Sequence, residues 1–183
     1  MSRIPTPSSI ATSPAASQPL LEAVNKQLGS VPNLFRVVGN SPAALEGYLA
    51  MSGALAKGAL PAQTRERIAL AVAEVNGCNY CLAAHAYLGK NLARLDDAEI
   101  AANRAGTSGD AKADAAVRFA ALIVRARGHV GEPALEAVRA AGYTDAQIVE
   151  IVMHVAINTW TNYLNEVAGT EIDFPVVAAL ETA

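Results

Sequence analysis

Three side chains in one short stretch could carry chemistry together: Cys78, Cys81 and His85 in NGCNYCLAAHAYLGK. In a helix, Cys78 to Cys81 is an i, i+3 step and Cys81 to His85 an i, i+4 step, so two thiols and an imidazole share one stripe. Asn76-Gly77 interrupts a strongly helical run just before them, which predicts that the cysteines open a new helix. Unpaired N–H groups and the positive end of the helix dipole favour a thiolate there. An unperturbed thiol is only about 3% ionised at neutral pH, and a drop of about two units makes it mostly thiolate. His85 could serve as an imidazolium partner or as general base toward Cys81.

Taken alone, the stripe fits a redox pair, a metal site or inert core thiols. Structural zinc takes four ligands. CxxC with one histidine offers three, Glu66 or Glu74 would complete only an atypical set, and His129 and His154 lie far off in sequence. A c-type haem needs histidine directly after the second cysteine, where this chain has Leu82. A thioredoxin-like motif expects a βαβ context, and the sequence has no alternating strand pattern. A relay carboxylate could come from Glu66 or Glu74, but the Asn-Gly bend hides the rotation between the two helices, so spacing does not choose. His129 reads as a surface loop residue and His154 as a structural residue of the last helix.

The elements that must position these groups read as helix after helix. Residues 1–18 hold Pro5, Pro7, Pro14 and several serines without periodicity, predicting an extended arm, either disordered or laid across a neighbouring subunit. Residues 19–183 are expected to form one all-α domain. Helices are expected over 20–28, through 38, and from Ser41-Pro42 onward, the last being a cap followed by a first-turn proline. Further helices are expected over 62–75, 78–89, 96–106, 110–127 and 133–141, and the longest over 144–167. In that longest helix Ile148, Ile151, Val152, Val155 and Trp160 are expected to form a buried stripe, with Asn158, Thr159, Asn162 and Asn165 as its polar residues. The 183 residues carry 14 Lys+Arg against 17 Asp+Glu, with 52% hydrophobic and 17% charged residues. That balance argues against nucleic acid or an anionic membrane as partner and excludes disorder over most of the chain. No run is long and apolar enough to span a bilayer, and no signal-peptide core is evident, so the expected address is the cytoplasm. So little charge leaves weakly polar surface that sister subunits would cover.

The string from Glu66 through Asn76-Gly77-Cys78-x-Tyr80-Cys81-x-x-x-His85 resembles the AhpD-like alkylhydroperoxidases of the carboxymuconolactone decarboxylase superfamily. VPNLFRVVGNSPAALEGYLAMSGAL and TNYLNEVAGTEIDFP resemble its peroxidase-related branch, so the likeness covers most of the chain after residue 30. It implies an all-α bundle of about seven to nine helices assembling as trimers or hexamers, without cofactor or metal. It also implies that the relay glutamate is Glu66, twelve positions before Cys78, leaving Glu74 a structural charge. Tyr80 stands where the best-known members have histidine; a phenol is a poor base near neutral pH, and its expected part is to orient or gate substrate.

The implied activity is that of a thiol peroxidase of peroxiredoxin type. Glu66 and His85 take the Cys81 proton, Cys81 attacks a hydroperoxide, and Cys78 resolves the sulfenic acid as a disulfide. An external dithiol, such as a lipoyl-carrying protein, restores both thiols. Members without the cysteine pair are lactone decarboxylases, so the pair argues against decarboxylation. The alternatives are a redox-sensing or disulfide-exchange protein without efficient turnover and a metal-binding structural module.

Overall fold

The computed structural model describes residues 2–177. Among them there are nine α-helices and no strand: α1 (Gln18–Leu28), α2 (Asn33–Val38), α3 (Pro42–Leu55), α4 (Ala62–Asn76), α5 (Asn79–Asn91), α6 (Asp97–Arg104), α7 (Ala111–Ala126), α8 (Gly131–Ala140) and α9 (Asp145–Ala168). The all-α expectation holds. α4 is the hub, packed against α5, α6, α7 and α9. Its consecutive residues 68–73 are all buried, and three of them are Ala69, Ala71 and Ala73, whose small side chains let neighbours close in from every side.

Two apolar clusters flank this hub. One joins Ile68 and Val72 of α4 to Phe119 and Ile123 of α7, Val138 of α8, and Ile148, Ile151 and Val155 of α9. The other gathers Leu21, Leu34, Val38 and Leu45 around Ala73, Cys78, Tyr80, Cys81 and Leu82. The sulfurs are thus packed into a core of their own, formed mainly by the N-terminal helices and α5.

The start of α5 follows from how α4 stops. Gly77 adopts φ 71°, ψ 25°, a left-handed conformation that an L side chain resists. Its N–H donates to the Glu74 carbonyl at 3.1 Å, and the Cys78 N–H donates to the Ala73 carbonyl at 3.0 Å. This paired closure satisfies two carbonyls that the helix end would otherwise leave open. The turn leaves Cys78 extended as the N-cap of α5 and Cys81 in its first turn, as the interruption at Asn76-Gly77 predicted.

Three expectations need correction. The arm, expected to be extended, is packed against its own chain over the described residues. Short 3-10 turns at Ile10–Thr12 and Ala15–Ser17 fold it back on its own chain. Its prolines lack N–H donors, and its free carbonyls accept from side chains elsewhere in the chain: Arg36 Nη1 donates to Ser8 O at 3.0 Å and Asn40 Nδ2 to Pro5 O at 2.7 Å. α8 begins at Gly131 rather than residue 133, since proline is tolerated in a first turn whose N–H groups have no helical partner anyway.

The largest correction concerns α9. Val152 and Trp160 are exposed, by 45% and 39%, whereas Asn158, Asn162 and Asn165 are buried. Trp160 lies five residues beyond Val155, about 140° round the helix from it. The inward stripe therefore runs Ile148, Ile151, Val155, Asn158, Asn162, Asn165, changing from aliphatic to amide halfway along. Val149, Val152, Met153, Trp160, Tyr163 and Val167 line the outer side. No helix among the described residues is long and apolar enough to cross a membrane.

Candidate active site

Cys78 and Cys81 are paired as a disulfide, with Cα atoms 5.3 Å apart. Both residues are buried, Cys78 completely and Cys81 to within 3%. Each sulfur faces a different donor. Cys78 Sγ accepts from the Cys81 backbone N–H at 3.3 Å, doing as N-cap what a serine oxygen usually does. Cys81 Sγ accepts from Asn165 Nδ2 at 3.3 Å, reaching across from the far end of α9. The first donor belongs to the helix start itself and the second comes from tertiary packing.

One turn beyond Cys81 on α5, His85 Nδ1 lies 2.9 Å from Glu66 Oε2. The two side chains are about one-fifth exposed, so a carboxylate and an imidazole meet where they remain open to solvent. Glu74, eight residues further along α4, is engaged elsewhere: Arg104 Nε donates to its Oε2 at 2.7 Å. In space, Glu66 meets His85, while Glu74 pairs with Arg104 of α6.

Glu66 and His85 line a cavity of about 220 Å³ whose walls also include Tyr48, Arg65, His154 and Asn158. Arg65 Nη1 donates to the Ala56 and Leu60 carbonyls at 3.1 and 3.0 Å, which anchors a cationic group in the wall. Burial, followed by the negative charge of Glu66, pushes the Tyr48 phenol up to about 12. His154 is buried, and its Nε2 has no hydrogen-bond partner among the described residues. Burial, reinforced by Arg65, brings it down to about 4 against the opposing pull of Glu150 and Glu66. It is a neutral imidazole at physiological pH.

Tyr80 does not line this cavity. Its hydroxyl accepts the Leu34 N–H at 3.1 Å, at the start of α2, and its ring meets Phe174 edge-on at 5.8 Å. Burial raises its phenol far above the ordinary value, against the lowering effect of the Leu34 N–H and with Asp173 adding to the rise. His129 is exposed. Among the described residues no cluster of three His, Cys, Asp or Glu side chains could hold a metal ion.

Sequence reasoning missed Asn165, Tyr48 and His154 as residues of this region. Asn165 is 84 residues from Cys81, and no local spacing links them. The available signal was phase: Asn158, Asn162 and Asn165 continue the inward positions of Ile148, Ile151 and Val155, and an amide in a core phase demands a partner.

A buried cysteine pair at a helix start, a Glu–His pair one turn on and an all-helical frame define an all-helical protein with a candidate dithiol site. The family model of the Carboxymuconolactone decarboxylase family matches residues 42–122, a span that holds Glu66, both cysteines and His85. An uncharacterized peroxidase-related protein from Ralstonia eutropha JMP134 with an AhpD core is similar at 25% identity and TM-score 0.84, over 94% of this chain and 92% of that one. A peroxidase-related protein from Silicibacter sp. TM1040 is similar at 26% identity and TM-score 0.77, over 86% and 85%. The debrominase Bmp8, crystallised with 2,3,4-tribromopyrrole, shares the fold at 19% identity and TM-score 0.77, over 92% and 90%. No curated protein matches by sequence. The family match and the peroxidase-related neighbours support the AhpD-like carboxymuconolactone decarboxylase superfamily for this chain, and its fold and cysteine pair fit a peroxidase-related role.

Proposed function

We propose that this protein is a thiol peroxidase that reduces organic hydroperoxides through Cys81 and Cys78. The observation that carries the proposal is the Glu66–His85 pair, 2.9 Å apart, set one helical turn from a buried sulfur pair at the start of α5. Glu66 fixes the imidazole through Nδ1, leaving Nε2 to take the Cys81 proton directly or through water. The Cys81 thiolate attacks the terminal oxygen of the hydroperoxide. The S–O bond forms as the O–O bond breaks, and the departing alkoxide takes the proton to leave as an alcohol. Cys78 sulfur then attacks the Cys81 sulfenic acid, which loses its oxygen as water, and the Cys78–Cys81 disulfide forms. A small external dithiol, of the kind a lipoyl protein carries, restores both thiols by exchange and leaves as its own disulfide.

Cys81 is assigned the attack because its sulfur is the one served by a side-chain donor and lies nearer His85 along the stripe. Cys78, wholly buried, is assigned the resolving step. Tyr80 supports the site by tying α2 to the start of α5. We take the protein to act in the cytoplasm as a homo-oligomer, a reading supported by the apolar outer stripe of α9. Steady-state turnover of an organic hydroperoxide with a dithiol tests the proposal. Turnover should collapse to background in Cys81→Ser, and a variant consuming peroxide as fast as the natural protein overturns the assignment. A single oxidation without turnover would instead identify a redox sensor.

A further inference from the structure

We infer that Asn165 is a catalytic residue that stabilises the Cys81 thiolate through its side-chain amide. The inference rests on the proposed role of Cys81, since it names the group that makes this sulfur acidic. Asn165 Nδ2 lies 3.3 Å from Cys81 Sγ, and both residues are at least 97% buried, Asn165 at 2% exposure and Cys81 at 3%.

Asn165 is held from its backbone side. Its carbonyl accepts the Gly169 N–H that caps α9 and the Thr170 N–H at 3.0 Å, so the helix end cannot drift away from α5. Its Oδ1 has no partner among the described residues. The amide is therefore oriented by the sulfur alone. A buried amide oxygen left unpaired is destabilising, and the one bond gained in return points at a reacting atom.

A hydrogen bond to sulfur is weak when the sulfur is neutral. It strengthens when the acceptor carries charge, and more so where water is excluded. The Asn165 donor thus favours the thiolate over the thiol, adding to the N-terminal end of α5. Other titratable groups around Cys81 are few. Cys78 starts the same helix, and His85, with Glu66 of α4 behind it, lies one turn on. On the α2 side the Tyr80 hydroxyl is engaged with Leu34, and Asp173 Oδ2 accepts the Asn33 N–H. From α9 the neighbouring Glu166 is exposed, and among the described residues the polar side chain of that helix bonded to the sulfur is the neutral Asn165 amide.

The test reads the thiol itself and needs no peroxide. In a Cys78→Ser background, Cys81 is the sole thiol, and its ionisation follows from thiolate absorbance or alkylation rate against pH. Asn165→Leu should raise its pKa by about one unit, a tenfold loss of thiolate at any pH below the transition. Asn165→Asp, of nearly identical shape, should raise it at least as far. An unchanged or lowered pKa in these variants overturns the inference. A readout without substitution at 165 decides the matter if either variant fails to fold. In nitrogen-15-labelled protein the Asn165 side-chain amide proton should shift downfield as Cys81 ionises, and an amide blind to that titration overturns the inference. Absence of peroxide turnover in the natural protein, with the expected pKa shift in the variants, would count against the peroxidase proposal and leave the Asn165 role standing.

Discussion

Two buried polar regions sit against α4, and they are finished to different degrees. Around Glu99 of α6 the carboxylate is nearly saturated. Arg67 Nε donates at 2.7 Å, Asn103 Nδ2 and the Gly109 N–H at 2.9 Å, and the Ser108 hydroxyl closes the set. Burial pushes this acid up, yet the four hydrogen bonds outweigh it and bring it down to about 2. Among the described residues, Asn103 Oδ1 is the atom left without a partner there. Along α9, beside the sulfurs and the cavity, three atoms are left over among the described residues: His154 Nε2, Asn162 Nδ2 and Asn165 Oδ1.

The contrast separates structure from chemistry. A saturated network has one stable protonation state and little left to offer a reactant. An unfinished one keeps donors and acceptors available to a group whose charge changes during a reaction, at a standing cost in stability. The same division runs along α4, where Glu74 is matched to Arg104 and Glu66 is matched to a titratable histidine.

The strongest way to break this comparison is to exchange the fates of the two glutamates. Glu66→Gln should lower the rate of Cys81 oxidation by roughly 10²- to 10³-fold, within the usual range for losing a general-base relay, with little change in unfolding temperature. Glu74→Gln should do the reverse. Its peroxide rate should stay within about twofold, while stability falls by about 1–2 kcal/mol through loss of a charge-assisted bond. Stopped-flow oxidation and denaturant unfolding measure both, and a slow Glu74→Gln enzyme would erase the distinction.

How much of this was legible in the sequence depended on whether the signal was local. The helix restart at Cys78 was legible because Asn76-Gly77 is a local stop and Gly77 supplies the left-handed turn. The stripe of Cys78, Cys81 and His85 followed from helical pitch. Choosing Glu66 over Glu74 needed the family likeness, since the angle of the α4–α5 elbow decides it and no residue encodes that angle by itself. The inner face of α9 was misread at Val152 and Trp160 because hydropathy assigns apolar residues inward, whereas phase carries the stripe on through three asparagines. Asn165 on Cys81 was invisible for the same reason: it is a tertiary contact between residues that sequence order keeps apart.

A second and smaller effect sharpens the comparison through acid. Glu99 titrates near 2 folded against an ordinary 4.5, so its contribution is fully present above about pH 4.5 and drains away as pH falls toward 2. Glu99→Gln should cost on the order of 2 kcal/mol at neutral pH, after allowance for solvent screening, and flatten that part of the stability profile. Peroxide kinetics should be unmoved.

A further effect lies on the α9 side and begins at milder acidity. His154 titrates near 4 folded against an ordinary 6.5. The unfolded chain therefore binds the extra proton first, and stability declines as pH falls from about 6.5 to 4. Arg65, which repels that proton, and Glu150 and Glu66, which attract it, set the size of the decline. His154→Phe should remove the decline in this window and leave the Glu99 window intact. Urea unfolding across pH 3 to 8 resolves the two, and a single merged transition in both proteins would show that the regions are not independent.

The central claim is that the cysteine pair is a peroxide-driven couple with Cys81 as its entry point. Reduced protein mixed with one equivalent of an organic hydroperoxide, followed by intact mass and peptide mapping, tests it directly. The expected result is rapid loss of two hydrogens, located to a Cys78–Cys81 disulfide, and trapping of a sulfenic acid on Cys81 when Cys78 is serine. Thiols that oxidise no faster than a free small-molecule thiol, or a sulfenic acid found on Cys78 when Cys81 is serine and never on Cys81, would contradict it.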